Sequence, residues 1–155
     1  MNLEQLLARD GRIVYKTQGF SMMPMLRQNR DLVIISAKKG RLRPMDVALY
    51  KRGKNYVLHR VISVTDSGYR IRGDNTYVLE TVPERAVLGV LTAFVRDGKE
   101  ISVTDRGYQC YVRLRTGSYP LRLAALRARR LVSRAAKRLG LRRPHRSKRE
   151  SEEAE

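Results

Sequence analysis

The chain has 155 residues, with 33 Lys/Arg against 15 Asp/Glu, a formal net charge of +18 and a single cysteine. That length allows one compact domain of about 100–150 residues plus an extension. One cysteine excludes an internal disulfide. With the two histidines it shows no metal-ligand spacing, so neither a metal nor a cofactor is expected.

Charge is spread unevenly. Residues 106–149 carry fifteen Lys/Arg and no acid, which leaves a net +7 on residues 1–105. The last six residues are mostly acidic and read as a disordered tail. No uncharged run exceeds ten residues, far short of the ~20 that span a bilayer. The N-terminus has no basic-then-apolar leader. The expectation is a chain on the cytoplasmic side, peripheral to the membrane at most.

Residues 2–9 predict a short amphipathic helix: Asn2 can cap it, Leu3, Leu6 and Leu7 form one stripe, and Gly11 stops it. Arg12–Gly19 predicts a strand. The uncharged loop Gly19-Phe20-Ser21-Met22-Met23-Pro24-Met25-Leu26 follows. Gly19 supplies backbone freedom and Pro24 stiffens the turn, which suits a serine nucleophile if a base lies near.

Asp31–Ala37 and Asp46–Lys51 read as strands. Arg52-Gly53-Lys54-Asn55 then turns into a β-branched stretch carrying His59. Alternation puts His59 on one face with Val57 and Val61, partly desolvated, which favours the neutral imidazole of a general base. Gly68–Gly73 reads as a short strand delivering Gly73-Asp74-Asn75 to a loop. Ala86–Val95 and Lys99–Thr104 flank Asp97-Gly98, a hairpin signal.

Tyr108–Arg115 reads as a last strand, with Cys110 a buried thiol within it. From Pro120 the period changes to 3.6. Alanines and leucines share one face and arginines the other, a basic amphipathic helix over about 120–140. His145 lies in the basic tail, away from any motif. The boundaries that follow are 1–115 for a mainly β body, 116–149 for a basic helical extension and 150–155 for the acidic tail. Many short strands with no intervening helix mean an all-β body.

Three boxes in order, Ser21-Met22-x-Pro24-x-Leu26, His59-Arg60-Val61-Ile62 and Gly73-Asp74-Asn75, resemble those of the type I signal peptidases and their repressor-type (LexA-like) autoprotease relatives. The resemblance covers roughly residues 12–95 and implies that all-β peptidase fold, here with a short N-terminal helix and a basic C-terminal one. Archaeal and endoplasmic-reticulum members carry histidine before Arg-Val-Ile, as here; bacterial housekeeping members carry lysine. Met25 stands where the family usually has threonine, and Met45 where it usually has glycine.

The resemblance implies a serine endopeptidase with a Ser21–His59 dyad. The Ser21 main-chain N–H would serve the oxyanion. Gly19, Phe20, Met22 and Pro24 would lie along the substrate cleft. Some members place an oxyanion-binding hydroxyl two residues before the serine; Gly19 supplies none. Asp74 is either an orienting acid or a turn residue, beside Gly73 and Asn75; Glu80 and Asp46 are weaker orienting candidates. The expected partner is an extended peptide or protein substrate. An anionic membrane surface is a possible second partner for residues 120–140. A repressor-related nucleic-acid-binding protein is less favoured, and a catalytically dead scaffold is the remaining alternative.

Overall fold

The computed structural model describes residues 3–138. The Asn2 cap, His145 and the acidic tail lie outside the described residues. The elements run α1 (Leu3–Asp10), β1 (Arg12–Lys16), β2 (Leu32–Ala37), β3 (Val47–Arg52), β4 (Asn55–Thr65), β5 (Gly68–Arg72), β6 (Glu80–Pro83), β7 (Val87–Arg96), β8 (Lys99–Ser102), α2 (Arg106–Gly117) and α3 (Tyr119–Arg138). The fold is therefore mainly β, with one short helix ahead of the strands and helices after them. Contacts divide the chain after Gly117 into two units. The first unit carries all the strands.

The eight strands form one antiparallel sheet, ordered β1-β2-β7-β3-β4-β5-β6, with β8 paired to β7. Strand β3 shows why the sheet has two cores. Val47 and Leu49 face one apolar cluster, with Leu7, Ile13, Leu26, Val33 and Leu91. Ala48 and Tyr50 face the other, with Val61, Tyr69, Ile71 and Val82. Side chains alternate faces along a strand, so four consecutive residues, Val47 to Tyr50, serve both layers. Fully burying one such side chain contributes about 1.5–3 kcal/mol.

The hairpin at Asp97-Gly98 forms as the dipeptide predicts, with φ +50 and +76. A two-residue turn of that hand matches the twist of the flanking strands. The β3–β4 hairpin pairs Arg52 with Asn55 and Ala48 with His59. That register places Tyr50 diagonally from His59 on one face of the sheet.

One expected strand is a helix. Tyr108–Arg115 lies inside α2, where Tyr108 and Val112 are buried one turn apart. Its aromatic and β-branched residues mimic a strand, but Tyr108, Tyr111, Val112 and Arg115 follow the i, i+3, i+4, i+7 spacing of a helix face. Asp105 precedes the helix and accepts at its carbonyl the Gln109 N–H, at 2.9 Å. Cys110 consequently points away from the core and is exposed, not buried. Strand β6 went unread because it is four residues long and ends in proline, which suits only an edge.

In the second unit α3 is a single 20-residue helix. Among the described residues, no helix is long and apolar enough to cross a membrane.

Candidate active site

Ser21 sits at the start of a tight turn just beyond β1, where Met23 donates its N–H to the Phe20 carbonyl (3.2 Å) and Leu26 to Met22 (3.0 Å). The turn is anchored from below: Met22, Met25 and Leu26 are buried in the core. Gly19 has φ +87, a conformation L side chains rarely adopt, and its N–H donates to Gln28 Oε1 at 2.9 Å. The Met23–Pro24 peptide is cis. Phe20 projects from the turn and is exposed.

The Gly73-Asp74-Asn75 box closes over this turn. Asn75 donates its main-chain N–H to the Ser21 carbonyl at 2.7 Å and its side-chain amide to the Phe20 carbonyl at 3.3 Å. Gly73 passes so near that a Cβ built on it would stand 2.6 Å from the Ser21 oxygen, 3.0 Å from Ser21 Cβ and 3.1 Å from His59 Nε2. Serine and imidazole therefore approach one point, and Nε2 is the ring atom nearest to it. Only glycine leaves that space open. Among the described residues, the Ser21 N–H has no main-chain acceptor.

His59 is buried at the centre of β4. Its Nδ1 lies 3.2 Å from the Tyr50 hydroxyl and 3.4 Å from Glu80 Oε1. Tyr50 has one proton, and it points to Glu80 Oε2 at 3.0 Å. The phenol oxygen is then left to accept, so the proton of a neutral imidazole belongs on Nδ1. Nε2 then keeps its lone pair, 3.1 Å from the point that Ser21 Cβ also approaches. Burial pushes the His59 pKa below its ordinary value; the Glu80 and Asp74 charges oppose that shift, and Arg52 adds to it. Burial and Glu80 push the Tyr50 phenol well up, so it stays protonated.

Asp74 is engaged by an arginine and a tyrosine. Its carboxylate receives Arg60 Nε at 2.8 Å and Nη2 at 2.7 Å, and the Tyr111 hydroxyl at 3.1 Å. Arg60 is 1 % exposed. It also reaches the Met45 carbonyl (2.9 Å), the Tyr108 hydroxyl (3.2 Å) and Met25 Sδ (3.2 Å). Arg115 of α2 donates to the Asp74 carbonyl at 2.9 Å. The arginine next to the base thus ties the serine turn, the Gly-Asp-Asn loop and α2 together.

Met25 and Met45 both belong to this network. Met25 presents its sulfur to Arg60. Met45 takes φ +81, the region that glycine ordinarily fills. Asp46 accepts the Arg43 N–H at 2.8 Å and serves its own turn.

The cleft has a volume of about 750 Å³, and residues 15–22, 54–59, Thr76, Val78 and Glu80 are among those that line it. Ser21, His59, Gly19, Phe20 and Met22 line it; Pro24 does not. The sequence reading did not find Tyr50. The signal was present in the Arg52–Asn55 turn, whose two-residue length sets the register that brings Tyr50 beside His59. Among the described residues no His/Cys/Asp/Glu group is fit to hold a metal ion. In comparisons with known proteins, no family model matches the chain and no curated protein matches it significantly.

Proposed function

We propose that the protein is a serine endopeptidase of the signal peptidase type, in which Ser21 is the nucleophile and His59 the general base. One observation carries the reading: Ser21 Cβ and His59 Nε2 each lie about 3 Å from the same point above Gly73, inside a cleft. A serine hydroxyl attacks a carbonyl only as a base takes its proton. His59 Nε2, held unprotonated beside Ser21, takes it. The tetrahedral oxyanion is met by the Ser21 N–H. His59 then passes the proton to the leaving amine, and the acyl-enzyme is hydrolysed by water with His59 as base again.

The substrate lies extended. Strand β1 is at the edge of the sheet, and its continuation through Thr17 to Gly19 lines the cleft. An added peptide strand takes affinity from main-chain hydrogen bonds along such an edge. As part of the same proposal, the basic helix α3 adsorbs to an anionic bilayer surface. Its sequence places arginines opposite alanines and leucines, and each charge near such a surface contributes up to about 1 kcal/mol.

Labelling by a fluorophosphonate tests the reading without knowledge of the substrate. The serine oxygen attacks phosphorus, fluoride leaves, and the proton goes to His59. A single adduct at Ser21, absent from His59→Ala, is expected. Intact protein with no adduct overturns the proposal.

A further inference from the structure

Resting on the peptidase reading, we propose that Glu80, clamped by Arg52 and joined to the imidazole through Tyr50, is the positioning residue of the base, in place of the acid of the Gly-Asp-Asn box. Five distances carry the inference. Glu80 Oε1 is 3.4 Å from His59 Nδ1. Tyr50 bridges the same two groups, 3.2 Å from Nδ1 and 3.0 Å from Glu80 Oε2. Arg52 Nη1 reaches both carboxylate oxygens, at 3.1 and 3.2 Å.

Three elements supply this set: β3 gives Tyr50 and Arg52, β4 gives His59, and the first residue of β6 gives Glu80. Asp74 has both oxygens engaged elsewhere, by Arg60 and Tyr111. The arrangement does for Nδ1 what the buried acid of a serine triad does: it fixes the tautomer and stabilises the imidazolium formed in the reaction. It differs in having a phenol between base and acid, and in opening at one end to solvent through the exposed Arg52.

The charges acting on His59 are Glu80 from β6, Arg52 from β3 and Asp74 from the loop after β5. Removing the first lowers the imidazole pKa further, because a nearby anion favours the charged form. Glu80→Gln should then slow Ser21 phosphonylation on the order of 10²-fold or more and move the acid limb of its pH profile to lower pH. Glu80→Asp should recover part of the rate. Tyr50→Phe should cost roughly tenfold, since Glu80 still faces Nδ1.

A purely structural Glu80 would instead lower thermal stability and leave the labelling rate of the folded protein near native. The ring ¹⁵N shifts of His59 give a readout independent of any reaction. The Nδ1–H form should dominate in the native protein, and Glu80→Gln should give a mixture. If Ser21→Ala abolishes labelling while Glu80→Gln labels at the native rate with an unmoved limb and unchanged ¹⁵N shifts, the peptidase reading stands and this proposal falls. If Ser21→Ala labels as the native protein does, the peptidase reading itself has failed.

Discussion

Arg60 meets Asp74 through two hydrogen bonds, at 2.8 and 2.7 Å, in the buried interior behind the candidate dyad. Arg60 is adjacent in sequence to the base, and Asp74 is adjacent to the glycine between base and serine. Breaking a buried pair by removing one partner strands the other charge, which costs about 3–5 kcal/mol. Asp74→Ala should lower unfolding free energy by that amount in urea denaturation. A loss below about 1 kcal/mol would show that the pair does not hold the site together.

Gly73→Ala adds one methyl where Ser21 and His59 converge. The built Cβ stands 2.6 Å from the Ser21 carbonyl oxygen, so main chain must move. The dyad should open and Ser21 labelling should fall at least roughly tenfold, as expected when reacting groups are displaced by even 1 Å. Circular dichroism should stay native. Native labelling in a folded Gly73→Ala protein would show that the approach is looser than described.

Burial holds the His59 pKa below its ordinary value of 6.5. The reactive form is the neutral one, so the rate should be flat from pH 8 to about 6.5 and decline only below that. The stability sign runs the same way. The unfolded chain binds the proton more readily, so this contribution is present above the unfolded pKa and is lost as pH falls from there towards the folded pKa. An inflection above pH 7 would contradict a buried neutral base.

Strand pattern, hairpin turns and the three boxes were legible because each rests on local chemistry. Asp97-Gly98 demands positive φ, and β-branched residues around His59 demand an extended chain. Helix α2 was not legible as a helix because Tyr108-Gln109-Cys110-Tyr111-Val112 satisfies a strand pattern and a helix pattern at once. What selects the helix is tertiary: Tyr108 and Tyr111 hydrogen-bond to Arg60 and Asp74. Sequence leaves Asp74 either an orienting acid or a turn residue, because nothing local shows its partner. Its partner Arg60 is fourteen residues away, across the β4–β5 pairing. Glu80 is a weaker candidate in sequence for the same reason, since its approach to His59 depends on a short edge strand that sequence period does not reveal.

For α3 the test is adsorption. Full-length protein should co-sediment with vesicles containing anionic lipid, release as salt screens the charges, and ignore neutral vesicles. Binding that persists after deletion of residues 118–155 would place the lipid contact elsewhere.

The dyad itself is tested most directly by Ser21 labelling in four proteins: native, Ser21→Ala, His59→Ala and the double variant. Members of one catalytic unit are non-additive. Each single change should therefore reduce the fluorophosphonate rate roughly 10³-fold or more, with the double variant no worse than either and all four folded. A His59→Ala protein that labels at Ser21 at the native rate would contradict the account.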